Sequence, residues 1–105
     1  MCADAASGLT GDRGDKQDDD FEWDEEKAES NVRKHKVSFD TARLAFGDPN
    51  WVDYDDPHPD EERYKRICMH NDRIYVVMYA ERGTRTRIIS ARRANRYEQN
   101  LYSDP

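Results

Sequence analysis

At 105 residues, 38% of them charged and with a net charge of −6, the chain suffices for one small hydrophobic core. No stretch reaches the roughly 18 apolar residues of a membrane span, and two cysteines, Cys2 and Cys68, do not make a disulfide framework. The start lacks the basic and apolar regions of a signal peptide, so a cytoplasmic protein with no membrane partner is expected.

Residues 1–20 hold 6 Asp, three Gly and, past Met1, one large aliphatic residue, Leu9. Such a segment buries too little apolar surface to offset the entropy of ordering it, so it reads as a disordered acidic tail or an overextended gene start. The domain is therefore expected over residues 21–105.

Phe21-Glu22-Trp23-Asp24 alternates as a short strand. Asp24 is a good N-cap for a helix opening on Glu25-Glu26, and Ala28, Val32 and His35 form one stripe down to about His35. Ser38 caps a second helix, Phe39 to Phe46, which Gly47-Asp48-Pro49 stops. Trp51 to Asp55 reads as a strand, and the stretch to Glu62, with Pro57 and Pro59, as an acidic loop. Strands follow at 63–70, 73–82 and 84–93, separated by Asn71-Asp72 and Gly83-Thr84 at two-residue hairpin spacing. A helix from Asn95 to Tyr102 closes the domain. The class is α+β: two N-terminal helices and a C-terminal helix on a mainly antiparallel four-stranded sheet.

Those two hairpins set which side chains share a face. One face is expected to carry Ile67, Met69, Ile74, Val76, Met78, Ile89 and Ala91 and to receive the helices, with Arg63, Arg82, Arg85 and Arg87 at its open end. The other is expected to carry Tyr64, Arg66, Cys68, Tyr75, Val77, Tyr79, Glu81, Ile88, Ser90 and Arg92, a mixed surface of rings, guanidinium groups and one carboxylate.

Charge is segregated along the chain. Residues 21–62 hold 13 acidic and 5 basic side chains, whereas residues 63–96 hold 10 basic ones, nine of them Arg, against Asp72 and Glu81. Arg suits bidentate phosphate contact, so the asymmetry points toward nucleic acid where the total does not.

These segments resemble the BrnT family of type II toxins. The matching residues are Phe21-Glu22-Trp23-Asp24 with Lys27, Asn31, Lys34-His35, Val37-Ser38-Phe39, Phe46 with Asp48-Pro49, and Glu62-Arg63-Tyr64. They continue through Tyr79-Ala80-Glu81-Arg82 and the run Arg87 to Ala94, so the likeness covers about residues 21–102. It departs at Lys36, where the family usually has Gly, and at Met69-His70. The resemblance implies a RelE-like fold and a ribonuclease that arrests translation. It also implies a BrnA-like ribbon-helix-helix antitoxin that blocks the toxin, dimerises to give a heterotetramer and carries the complex to DNA.

Metal-independent RNA cleavage uses the 2′-hydroxyl as nucleophile, and so needs a base, an acid and fixed cations around the phosphate. Glu81 is the candidate base, or the orienter of an Arg; a cross-strand ion pair is the equal alternative. Arg92 and Arg87 are the candidate phosphate clamps, with Arg63 and Arg82 behind them. Tyr64, Tyr75 and Tyr79 could stack bases, a half-buried sheet tyrosine being the equal alternative for each, and Arg66 is a further candidate RNA contact. His35 could act as acid, although capping a helix end is its commoner role. His35, His58, His70 and Cys68 share no metal-ligand spacing, and neither metal nor cofactor is expected. The competing function is a non-catalytic co-repressor within a toxin–antitoxin complex; direct DNA binding ranks lower, since residues 25–35 balance acids and bases.

Overall fold

A computed structural model describes residues 20–104, so the acidic tail lies almost wholly outside the described residues. The elements are β1 (Phe21–Glu22), α1 (Glu25–His35), α2 (Phe39–Phe46), β2 (Val52–Asp55), β3 (Tyr64–His70), β4 (Arg73–Arg82), β5 (Arg85–Arg93) and α3 (Arg96–Ser103). The fold is α+β, as expected, but the sheet has five strands rather than four, in the order β1-β5-β4-β3-β2. The short Phe21-Glu22 segment joins β5 in parallel, and all other pairings are antiparallel.

Local signals set the element ends. Asp24 accepts the Glu26 amide at 3.0 Å, and Ser38 Oγ accepts that of Thr41 at 3.0 Å. α1 ends on Lys36 in the left-handed region (φ 61°), its amide donating to the Val32 carbonyl at 2.9 Å. A side chain there costs about 1 kcal/mol relative to glycine. Asn71 (φ 52°) and Asp72 (φ 65°) both take the positive φ that a tight two-residue hairpin of matching twist requires.

The β3–β4 register is the expected one, with Tyr64 opposite Tyr79 and His70 opposite Arg73. β4–β5 begins as expected, Arg82 opposite Arg85 and Tyr79 opposite Ile88, and then shifts: Met78 faces Ser90 and Val77 faces Ala91. Ile89 is the extra residue of a β-bulge. Because side chains alternate with period two, one extra residue exchanges the faces of everything beyond it. The expected sorting of Ala91 and Arg92 is thus reversed.

The helices also divide between the faces, contrary to the expectation that all would share one. α1 and α2 cover Cys68, Tyr75, Val77, Ile88 and Ala91 with Trp23, Val37, Phe39, Ala42 and Ala45, the larger core. α3 covers the other face, packing Leu101 and Tyr102 against Ile67, Val76 and Ala94. Full burial of a side chain such as Phe39 contributes about 1.5–3 kcal/mol. Both faces of the central strands are apolar, which is why alternation alone does not say which one receives which helix.

Candidate nucleic-acid interface

The bulge and the split of the helices together build a cationic face on the α3 side of the sheet. Arg92 now pairs across from Val76, and Arg87 from Ala80. Both therefore stand on the face of Ile67, Val76 and Met78, four residues apart along β4, or about 13 Å. Arg82 and Arg85 oppose each other where β4 turns into β5, and Arg63 immediately precedes β3 at that same end. Lys65, opposite Met78, occupies the middle of the face.

Each of the better placed cations has a carboxylate partner. Glu98 of α3 grips Arg92 with both oxygens, at 2.7 Å each, while accepting the Asn95 amide at 2.9 Å; Asn95 in turn accepts the Glu98 amide. The Arg92 hydrogen bonds hold the Glu98 carboxyl below its usual range against the opposing effect of burial, and Arg92 is raised by Glu98 in return. Glu22 of β1 binds Arg87 at 3.1 Å and lies 3.8 Å from Arg85. Glu61 binds Arg63 at 2.8 Å, which depresses its carboxyl, with Arg82 adding to the effect. The cations are thereby oriented, and Arg92 is fully engaged by its carboxylate.

Glu81 keeps the face expected for it, but its neighbours there are not the expected cations. It alternates with Tyr79 on the α1/α2 side of β4, and with Glu61, Glu62 and Tyr64 it lines a cavity of about 260 Å³. Its neighbours across that cavity are acids and a phenol rather than cations; Glu62 and Glu81 both raise the Tyr64 hydroxyl, Glu62 more.

Arg66 and Tyr79 are closed inside a packed cluster, which corrects the RNA-contacting role expected for them. The Arg66 guanidinium sits 3.9 Å from the Phe46 ring centre and 4.0 Å from that of Trp51, and pairs with both Asp53 oxygens at 2.8 and 3.0 Å. Burial works against its charge, but Asp53 outweighs it and the pKa is raised. Tyr79 is 4% exposed and donates to Asp53 at 2.7 Å; burial and that bond raise its pKa. Tyr75 is buried too. Tyr64 lies over Tyr79 at 5.4 Å and stays partly accessible at the rim.

His35 is the last residue of α1, exposed, beside the bulge. Among the described residues, no three His, Cys, Asp or Glu side chains gather as a metal ion would require.

A family model described as the ribonuclease toxin BrnT of a type II toxin–antitoxin system matches residues 23–98. The chain belongs to the BrnT family. That membership implies an antitoxin partner and ribonuclease activity as the family's trait. No curated protein sequence matches the chain. No helix among the described residues is long and apolar enough to cross a membrane.

In this BrnT-family chain three important residues were not singled out as site residues from sequence. Glu98 was findable, because Asn95-x-x-Glu98 has capping-box spacing. Glu22 follows from β1 lying parallel to β5, and Asn31 from the bulge; neither pairing has a local signature.

Proposed function

We propose that this chain is a metal-independent endoribonuclease toxin of RelE-like type, acting in the cytoplasm to inhibit translation. Its neutralising partner on this reading is a BrnA-like ribbon-helix-helix antitoxin, whose dimerisation gives a heterotetramer and supplies all contact with DNA. The observation that carries the catalytic part is the bulge at Ile89, which sets Arg87 and Arg92 on one sheet face with Lys65 between their strand positions and Arg63, Arg82 and Arg85 at its end.

On this reading RNA lies across the strand end with its scissile phosphate against Arg87, and Arg63 and Arg82 neutralise charge as the 2′-oxygen attacks. Arg stays protonated throughout, so these groups stabilise charge and move no proton. Glu81 at the rim is the proposed proton acceptor, reached from the opposite side of the strand end. Arg92, fixed by Glu98, holds the geometry of the site. Tyr64 is the candidate for base contact, and solvent water supplies the proton taken up by the departing 5′-oxygen.

The test is cleavage of RNA by purified protein in EDTA, alongside growth after expression without antitoxin. Cleavage and arrest are expected, and Arg87→Gln should lower both while preserving the fold. A verified producing strain that grows normally with intact messenger RNA would defeat the proposal and favour the co-repressor reading.

A further inference from the structure

α1 balances its charges in sequence but not in space. At 3.6 residues per turn, Lys27, Asn31 and Lys34 fall on one ridge, flanked by Ser30 and His35, while Glu25 and Glu29 fall on the opposite side. The ridge borders β5 at the bulge. Lys27, Ser30, Asn31, Lys34 and His35 together with Ile89 and Ser90 enclose a groove of about 240 Å³.

Its wall is unusual for so acidic a protein. Four other surface grooves each have carboxylates in their walls: Asp55 and Glu98 in one, Asp55, Asp56, Glu61 and Glu62 in the next, Glu25, Glu29 and Asp40 in a third, and Glu61, Glu62 and Glu81 in the last. The α1–β5 groove has two lysines and a histidine, and among the described residues no acid. Lys27, Lys34 and His35 are exposed and form no ion pair with another described residue. This contrasts with Arg63, Arg87 and Arg92, each already matched by a carboxylate. Unmatched ammonium groups retain their counterions for release by a polyanion, the main source of nucleic-acid affinity. Asn31 spends both its amide hydrogens and its oxygen on backbone and Ser90, so the floor of the groove is rigid.

We infer that the α1–β5 groove binds the sugar–phosphate backbone of single-stranded RNA beyond the scissile position, with Lys27 and Lys34 as its phosphate contacts. This rests on the ribonuclease reading above. The groove begins at Ile89, two residues or about 7 Å along β5 from Arg87, so one strand of RNA passes from the arginine face over the β5 edge onto α1. The lysines act as positioning residues and touch no reacting atom.

The experiment measures binding of a short 2′-O-methyl RNA, which cannot be cleaved at the 2′-oxygen, by fluorescence anisotropy over a range of salt. Losing two phosphate contacts should flatten the log Kd against log salt slope of K27Q/K34Q by about 1.4. KM for cleavable RNA should rise with kcat little changed, and K27R/K34R should restore the slope. Both lysines are exposed, and an unchanged thermal midpoint would establish that the variant is folded. An unchanged slope, with wild-type protein binding RNA and R87Q binding it less well, would overturn the groove while leaving the ribonuclease reading standing. Loss of antitoxin capture by K27Q/K34Q with RNA binding unaffected would assign the groove to the protein partner and overturn the inference. Failure of wild-type protein to bind or cleave RNA would overturn both.

Discussion

Asn31 offers the sharpest test of how this fold is held. It is 5% exposed and makes four hydrogen bonds: Nδ2 to the Val37 carbonyl at 2.8 Å and the Ala91 carbonyl at 2.7 Å, and Oδ1 from the Ser90 hydroxyl at 3.1 Å and the Ala91 amide at 3.2 Å. β1 pairs with β5 only at Thr86 and Arg87, so further along the edge Asn31 stands in for the missing strand. Asn31→Ala leaves the Ala91 amide and carbonyl and the Val37 carbonyl without these partners. At 1–3 kcal/mol for each buried group, reduced because the adjoining groove admits water, a loss of about 3–4 kcal/mol is expected. For an ordered domain of this size each kcal/mol shifts the midpoint by roughly 4–8 °C, so Asn31→Ala should melt at least ~12 °C lower. Asn31→Asp keeps the shape and the acceptor but turns a carboxylate oxygen on two carbonyls, and should be worse than Ala at neutral pH. Protonation restores one donor, so the new carboxyl has a folded pKa above its unfolded value of about 3.9. Its favourable contribution is present below that value and disappears as pH rises through the folded pKa. The Asp variant should therefore approach wild type on mild acidification. Thermal and urea melts across pH measure this; an Ala variant within about 1 kcal/mol of wild type, or an Asp variant equal to wild type at pH 7, would refute the edge-capping argument.

Three further outcomes follow. Lys36→Gly relieves the left-handed residue at the end of α1 (φ 61°) and should raise stability by about 1 kcal/mol, read from the urea midpoint; a loss would mean the Lys36 side chain contributes more than the backbone strain costs. Cys68 is 0% exposed and burial pushes its thiol up to about 12, so a thiol-specific reagent should label it only at the rate of unfolding, and fast labelling of Cys2→Ser protein would contradict the packing. Glu98 is held below its ordinary pKa by Arg92, and Asp48 is also lowered because bonds from Tyr102, Asn50 and Met69 outweigh burial. Folded values below unfolded ones mean stability present above the unfolded carboxylate pKa and lost as pH falls through the folded one; Glu98→Gln should shrink that acid-side loss, and an unchanged pH profile would speak against the Arg92 clamp.

The site was only partly legible. The arginine-rich stretch 63–96 announced a cationic surface, and Arg63, Arg82, Arg85 and Arg87 do share one end of a face. Arg66 carries the same charge in the same stretch, yet Phe46, Trp51 and Asp53 enclose it, a fate set by residues more than ten positions distant. Glu81 was judged by the guanidinium groups expected on its face, but the bulge takes Arg92 to the other side and Asp53 holds Arg66, which leaves it beside Glu61, Glu62 and Tyr64.

What sequence alone determined were the features encoded within a few residues: the caps at Asp24 and Ser38, the helix stops, the two hairpins and the β3–β4 register. Each depends on backbone hydrogen bonds or turn dihedrals satisfied locally. Only the tertiary structure decided the parallel docking of β1, the division of helices between two apolar faces, and the bulge at Ile89. An extra residue in one strand has no local signature: it is retained because Asn31, about sixty positions away, satisfies the backbone beside it. That single displacement decides which face Arg92 occupies.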